Sequence, residues 1–182
     1  MRILAPAAAL AIVTTVMLGG CVPTEPGAGP TPEPSSTPVF ASEEEALAAA
    51  EEAYAAYLAV SDAIFMEGGA DPERLSEVAT GAFLDAAVAG FHETQAEGLR
   101  STGGTVFRNV TLQMYSPESV PFGVVGVYVC EDITAVDVVN ASGQSVVSPD
   151  RPNNTLFQAV FDLGSDGRLL LSSREVWKNE PC

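Results

Sequence analysis

Basic residues are scarce in this sequence, which has 8 Lys and Arg against 24 Asp and Glu among its 182 residues. Only one of them is a lysine, Lys178. Proteins that bind nucleic acid or anionic lipid headgroups use clustered Lys and Arg side chains to neutralise phosphates. The composition therefore excludes nucleic acid as a partner, and any attachment to a membrane has to depend on something other than surface charge.

Histidine is nearly absent as well, because His92 is the only one. The run from His92 to Ala96 begins like the helix of a zinc protease, but Ala96 stands where the second zinc ligand is needed. The sequence also has no G-x-S-x-G turn for a nucleophilic serine and no glycine-rich phosphate loop before Lys178. We therefore predict no metal site, no cofactor and no catalytic set built on histidine or serine.

The N-terminus is apolar over residues 3–18, which follow the positive charge of Arg2 and precede Gly19 and Gly20. This layout is that of a secretory signal peptide. A transmembrane helix needs about 20 apolar residues, and this stretch is shorter and contains Pro6. Residues 1–20 are therefore predicted to be a signal peptide that is removed during export.

The four residues Leu18-Gly19-Gly20-Cys21 resemble the lipobox of bacterial lipoproteins. The resemblance implies that the thiol of Cys21 receives a diacylglyceryl group, that the chain is cut before Cys21, and that the new amine is acylated by a fatty acid such as palmitate. Two or more acyl chains anchor a protein stably. The chain is thus expected to be lipid-anchored at the outer, extracytoplasmic face of a cell membrane.

The segment after Cys21 is rich in proline, threonine and glycine, with prolines at positions 23, 26, 30, 32, 34 and 38. Such a segment cannot bury enough apolar surface to offset the entropy of ordering, and its prolines favour extended geometry. Residues 21–41 are therefore predicted to form a semi-rigid tether that holds a folded domain away from the bilayer.

Two further cysteines, Cys130 and Cys182, are predicted to form a disulfide. An export signal places them in an oxidising compartment, where an even number of thiols is expected to pair. Metal ligation is the alternative, but two cysteines and one distant histidine do not have a recognisable zinc spacing.

Residues 42–182 are predicted to form one α+β domain that begins with three helices, over about 43–66, 72–79 and 81–97. Capping patterns mark their starts, namely Ser42 with Glu45, Asp71 with Pro72, and Thr80. The third helix, which ends at Gly98, is expected to bury five apolar residues: Phe83, Leu84, Ala87, Val88 and Phe91.

Four main antiparallel strands are predicted after the helices, over about 106–114, 124–139, 156–163 and 168–177. In the first strand, alternation places five residues on one face, namely Val106, Arg108, Val110, Leu112 and Met114, and Phe107 on the other. A small hairpin through Val146 and Val147 is expected after the second strand, and a turn at residues 164–167 joins the last two.

This order of elements resembles that of the cystatin-like, NTF2-like group, in which a curved sheet wraps the first helix into a cone. The sequence departs from many members of that group because it has no short hairpin between the second and third helices. Residues 127–133 and 145–152 are also similar to small lipoproteins of actinobacteria. That second resemblance implies a location and a fold, and it carries no assigned activity.

Glu131 and Asp132 are the most notable candidates for chemistry, because they lie together in an otherwise apolar strand. Neighbours in a strand face opposite sides, so one of them can point into a cavity, where burial raises the pKa of a carboxyl toward general-base use. The alternative is that both lie near the end of the strand, solvated or paired with Arg108 or Arg174.

The NTF2-like resemblance adds a partner for such a base. Enzymes of this type, such as the ketosteroid isomerase and epoxide hydrolase groups, place a carboxylate and a tyrosine inside the cone. In this sequence the resemblance offers Tyr54, Tyr57 and Tyr128 for the second role.

Three functions remain open from the sequence. The favoured one is a non-enzymatic lipoprotein whose domain binds a small apolar ligand or a protein partner, in a pocket that includes Tyr54, Leu58, Phe91 and Tyr128. The second is an enzyme for a small hydrophobic substrate, with Asp132 or Glu131 as general base and Tyr57 beside it. The third is a structural homodimer that buries the outer face of its sheet.

We predict that the mature chain begins at Cys21 and partitions with membranes, because only lipid is available to hold it there. Mass spectrometry of the exported protein should find a diacylglyceryl adduct on Cys21. The Cys21→Ala variant should stay unprocessed or be released into the medium. An unmodified, soluble mature form in a host that lipidates other proteins would contradict this prediction.

Overall fold

The computed structural model describes residues 38–178 and residue 182. The predicted signal peptide, the lipobox with Cys21, and residues 21–37 of the predicted tether lie outside the described residues. Among those that are described, no helix is both long enough and apolar enough to cross a bilayer.

Three helical segments open the domain: helix α1 (Glu43–Met66), a 3₁₀ helix (Pro72–Glu77) and helix α2 (Gly81–Glu97). The backbone N–H of Glu45 donates to Ser42 Oγ (3.2 Å), and the Glu45 carboxylate accepts from the N–H of Ala41 (2.7 Å). The predicted capping box therefore exists, with its return bond one residue earlier than the usual pattern. Asp71 and Thr80 make no capping bond through their side chains, in contrast to the prediction.

Six strands follow, namely β1 (Arg100–Thr102), β2 (Val106–Tyr115), β3 (Val125–Asp132), β4 (Asp137–Val139), β5 (Asn154–Leu163) and β6 (Leu169–Lys178). The main sheet is antiparallel and has the order β2-β3-β5-β6, while β1 pairs with β4 in a small sheet of its own. The fold is α+β, with helices preceding a curved four-stranded antiparallel sheet, which is consistent with an NTF2-like fold. This confirms the predicted fold class.

The predicted strand over 124–139 is wrong in one respect, because it is interrupted between β3 and β4. A turn closed by a bond from Val136 N–H to the Ile133 carbonyl (3.0 Å) redirects the chain, and β4 then pairs with β1, which was not predicted. Gly103 permits this, since a Cβ there would collide with the carbonyl oxygen of Ala135. Beyond β4, the expected hairpin is reduced to a bridge between Val139 and Ser145.

The predicted alternation in β2 is wrong near both ends of the strand. The pairing with β3 shifts between Leu112 and Met114, so that Met114 lies opposite Gly126, and Tyr115 packs against the core instead. Asn109 adopts a left-handed conformation with φ of 55°, and the pairing of β2 with β3 shifts between Arg108 and Thr111. This bulge reverses the face of the sheet to which the side chains before it point. Phe107 therefore packs against the core, while Val106 is 59% exposed. Hydrophobic alternation alone does not locate such an insertion.

The core lies between α1 and the face of the main sheet that we call the inner face. Helix α1 buries six residues, namely Ala46, Ala50, Tyr54, Tyr57, Leu58 and Ile64. The inner face buries Val125, Val127 and Val129 of β3, and Ala159 and Phe161 of β5. The five apolar residues expected from α2 pack against this core, but none is fully buried, so α2 covers the edge of the core.

Cys130 and Cys182 form the predicted disulfide, with their Cα atoms 5.8 Å apart. Cys130 lies on the opposite, outer face of β3, because its neighbours Val129 and Glu131 both point inward. The side chain of Asn109 donates to the backbone carbonyl of Cys182 (3.3 Å). The C-terminus is thereby attached to the outer face of the central strands.

We expect removal of this bond by the Cys130→Ser/Cys182→Ser pair of substitutions to lower the free energy of unfolding by roughly 2–4 kcal/mol, because the unfolded chain regains the entropy of a long loop. Urea unfolding of the variant and of the oxidised parent measures the difference. Peptide mapping without reductant should recover the linked pair, and two free thiols in exported protein would contradict the prediction.

Candidate functional site

Glu131 is the one acidic residue among the buried side chains of the described part of the chain, and it is 4% exposed. It points inward because it continues the alternation of Val125, Val127 and Val129 along β3. Across the sheet it lies opposite Phe107 of β2 and Thr155 of β5. The sheet therefore places a carboxylate in the interior, facing α1.

Two other side chains meet this carboxylate. The hydroxyl of Tyr54, on α1, donates to Glu131 Oε1. Arg174, on β6, donates from Nε to Glu131 Oε1 (3.0 Å) and from Nη2 to Oε2. The Nε of Arg174 also lies 3.1 Å from the Tyr54 hydroxyl. We call Tyr54, Glu131 and Arg174 the interior cluster, in which both oxygens of the carboxylate have donors.

Aromatic rings hold the members of the interior cluster in place. The guanidinium carbon of Arg174 lies 3.6 Å above the centre of the Phe157 ring, a cation–π contact. The ring of Tyr54 packs edge-on against Phe107 at 5.4 Å and lies 6.0 Å from the ring of Tyr57. Only the arginine reaches solvent appreciably, since 23% of its side chain is exposed.

The environment keeps the tyrosine protonated and the arginine charged. Burial, followed by the negative charge of Glu131, raises the pKa of Tyr54 well above its usual range. Burial alone would lower the pKa of Arg174, but its polar contact with Tyr54 and its ion pair with Glu131 outweigh burial and raise the pKa. Burial likewise raises the pKa of Tyr57. Tyr54 therefore acts as a hydrogen-bond donor to the carboxylate and is not poised as a base.

This arrangement does not suit a general base. A base must have a free oxygen within hydrogen-bond reach of the substrate proton, and both oxygens of Glu131 already accept bonds from Tyr54 and Arg174. The space around the carboxylate is filled by aromatic rings, among them Phe107 and Phe157. The geometry fits an interior acid that is paired with Arg174 and has a donor on each oxygen.

Asp132, the other candidate base, lies on the outer face. Its Oδ1 accepts from the backbone N–H of Thr134 (2.9 Å), and its Oδ2 accepts from Arg108 Nη1 (3.0 Å). Hydrogen bonds from Thr134, and then from Arg108, lower the pKa of Asp132 to about 2. A carboxyl with so low a pKa is a weak base near neutral pH, and Asp132 is separated from the interior cluster by the sheet.

The four residues predicted to share a ligand pocket do not meet in one cavity. Tyr54 and Leu58 are buried in the core, and Phe91 of α2 packs against Phe65 with ring centres 6.1 Å apart. The ring of Tyr128 packs at a tilt against Trp177, with ring centres 5.0 Å apart, on the outer face. Because Tyr128 and Glu131 are three positions apart in one strand, alternation already places them on opposite faces.

His92 has no part in the interior cluster. Its Nε2 lies 3.3 Å from a carboxylate oxygen of Glu73 at an exposed position. Within the described residues, no group of three or more His, Cys, Asp or Glu side chains is arranged to hold a metal ion.

A groove that sequence reasoning missed lies along a flank of α1, where Ala49 and Ala53 border the core. Its volume is about 250 Å³, and it runs between α1, the 3₁₀ helix and the β5–β6 turn. The lining residues are Phe40, Ala49, Glu52, Ala53, Ala56, Glu77, Val78, Gly167, Arg168 and Leu169. The repeated alanines in α1 were the available sequence signal, because such short side chains leave space above the helix.

The groove carries a net negative charge. Glu52 and Glu77 lie on its wall, and the guanidinium of Arg168 is already paired with Asp166, with Nε to Oδ2 at 2.7 Å. Val78 and Leu169 form an apolar floor, since both are buried. We refer to this feature as the α1 groove; it can hold an apolar group whose neighbour is positively charged.

No protein-family model matches the chain, and no curated protein matches it either. Similar solved structures include the intermembrane space region of the chloroplast protein ARC6, at 13% identity and a TM-score of 0.52 over 71% of this chain and 95% of that one. Aln2 from a Streptomyces species is 19% identical, with a TM-score of 0.43 over 71% and 87% of the two chains. A de novo β-sheet design protein is 16% identical, with a TM-score of 0.33 over 75% and 90%. The likeness to the ARC6 region concerns the fold alone.

We predict that Glu131→Gln lowers the free energy of unfolding by roughly 2–4 kcal/mol, because it leaves the buried part of Arg174 without its counter-charge. The matched control is Asp132→Asn, at the next residue on the outer face, which should change stability little. Urea unfolding of the two variants checks this. Equal effects of the two substitutions would contradict the assignment of Glu131 to the interior.

Proposed function

We propose that this chain is a lipid-anchored extracytoplasmic binding protein and is not an enzyme. The observation that carries the proposal is the paired carboxylate of Glu131: Oε1 accepts from Tyr54 and Arg174, and Oε2 accepts from Arg174. Glu131, the only candidate base that points into the interior, therefore stabilises the fold and is not free to accept a substrate proton. What remains for contact with other molecules is the surface, and the α1 groove is a concave feature of that surface with an apolar floor.

The proposed occupant of the α1 groove is an apolar side chain of a partner protein, with a basic residue beside it. Pockets for drug-sized ligands occupy roughly 300–1,000 Å³, so about 250 Å³ suits a single large side chain or a ligand of that size. The carboxylates of Glu52 and Glu77 favour a cationic neighbour. The anchor expected at Cys21 would keep the groove outside the cell membrane, where such a partner is reached without crossing the bilayer.

The enzyme alternative retains one supporting observation, the inward carboxylate beside a tyrosine. A reaction at Glu131 would require Arg174 to leave its bonds and open a path from solvent. The homodimer alternative has less support, because the outer face carries the polar set Arg108, Asp132 and Asn154, which are bonded to one another.

The proposal predicts that short peptides with a basic residue next to Leu or Phe bind the α1 groove. Chemical-shift changes in NMR spectra should then concentrate at the methyl groups of Ala49, Ala53 and Ala56. Ala56→Phe should fill the groove and abolish the shifts, and Glu52→Gln should weaken binding severalfold by removing a counter-charge.

Ala55→Phe is the matched control, because Ala55 is an exposed alanine of the same helix outside the groove. It should leave the shifts unchanged. Peptide-induced shifts centred on the interior cluster, or loss of binding in Ala55→Phe but not in Ala56→Phe, would contradict the proposal.

A further inference from the structure

The connection between β2 and β3, residues 116–124, contains three consecutive exposed apolar residues, Val120, Pro121 and Phe122. Phe122 is 72% exposed, more than any other large apolar side chain of the described residues, and Val120 is 43% exposed. Single exposed apolar residues are common on protein surfaces. A run of three at the tip of one connection is a concentrated apolar projection, which we call the apolar tip.

Hydrogen bonds hold the apolar tip in its exposed position. The N–H of Phe122 donates to the Ser119 carbonyl (2.9 Å), and the Pro121 carbonyl accepts from the N–H of Leu163 on β5 (2.7 Å). The N–H of Gly123 donates to Asp162 Oδ1 (2.7 Å). The projection is therefore fixed to β5 by two hydrogen bonds, and its exposure is part of the fold.

The apolar tip lies at the end of the domain where the chain arrives from Cys21. The N–H of Phe40 donates to the Tyr115 hydroxyl (2.9 Å), which in turn donates to the carbonyl of Phe40 (2.8 Å). Tyr115 is the last residue of β2, so the connection that carries the tip begins at the next residue. Phe40, near the first described residue, thus lies at the end of β2 from which the connection to the apolar tip starts.

We propose that the apolar tip is a second membrane contact, which inserts Val120 and Phe122 into the interface of the bilayer that carries the lipid on Cys21. This inference rests on the proposed lipid anchor. The tether expected over residues 21–41 favours extended geometry, but it can lie along the bilayer as well as point away from it, because its direction is not fixed at the lipid. It thereby limits how far the domain can move from the membrane, so a contact too weak to act alone is populated. The tip itself contains no charged residue, and the acidic chain favours neutral over anionic headgroups.

The proposal fixes the orientation of the domain on the membrane. With the tip inserted, the long axis of the sheet points away from the bilayer, and the far end, where β1 pairs with β4, faces outward. Val146 lies at that far end, since its N–H bonds to the Val138 carbonyl of β4 (2.9 Å), and it is 51% exposed. Val146 is therefore a matched apolar control at the opposite end.

The experiment supplies the anchor chemically. Residues 21–182 are coupled through the thiol of Cys21 to a maleimide phospholipid in phosphatidylcholine vesicles, since the other two cysteines are joined in a disulfide. Trp177, the single native tryptophan, is changed to Phe. The reporter is then Phe122→Trp or, as control, Val146→Trp, and quenching by brominated lipid tails is measured.

We expect bromine to quench the Phe122→Trp reporter at least severalfold more than the Val146→Trp reporter, with a blue-shifted emission only for the former. Equal quenching of the two reporters, or none, would overturn the proposal. A blue shift that appears without bromine quenching and grows with protein density would also overturn it, because it would indicate contact between copies of the chain. The chemical coupling replaces the natural lipid, so a negative result in vesicles contradicts only the membrane contact of the apolar tip. The proposed lipid anchor is contradicted by a different result, an unmodified Cys21 in exported protein from cells.

Discussion

The structure depends on neutralising one buried carboxylate. Removing a charge from water costs several kcal/mol, and the cost is offset only if an opposite charge and hydrogen-bond donors are supplied with good geometry. Here Arg174 supplies the charge and Tyr54 a further donor. Because Tyr54 belongs to α1, Glu131 to β3 and Arg174 to β6, satisfying one side chain requires that the long helix and two non-adjacent strands are in place together.

This requirement gives the sheet a specific alignment as well as a core. The apolar residues of β5 and β6 tolerate neighbours of similar size, so hydrophobic contact alone leaves alternative pairings at modest cost. A slip of β6 by one residue would turn Arg174 to the outer face and leave Glu131 buried without a counter-charge. In a wrong register Glu131 is buried without its counter-charge, and this costs more free energy than the interior cluster contributes to the stability of the correct register. Buried polar groups are well suited to such a role.

Short sequence patterns were sufficient to predict those elements that are determined by residues close together in the chain. Ser42 and Glu45 identified the start of α1, and the glycine-rich turn at 164–167 identified the β5–β6 hairpin. The bulge at Asn109, the pairing of β1 with β4 and the bonds of Glu131 to Tyr54 and Arg174 were not predictable in the same way. Each depends on residues that are far apart in the chain, such as Glu131 and Arg174 at a separation of 43. The α1 groove was missed for a related reason, since alanines mark a space only once the opposite wall is known.

The order of elements along the chain has a consequence for biosynthesis. Helix α1 is made early, yet Tyr54 finds its partners 77 and 120 residues later, in β3 and β6. A growing polypeptide that has emerged only as far as α2 has no sheet on which to bury the apolar side of its first helix. Completion of the domain must therefore wait until β6 has been synthesised, and contacts of such long range form slowly. A chain that stays unfolded for so long can be threaded through a narrow translocation channel before it acquires a compact shape.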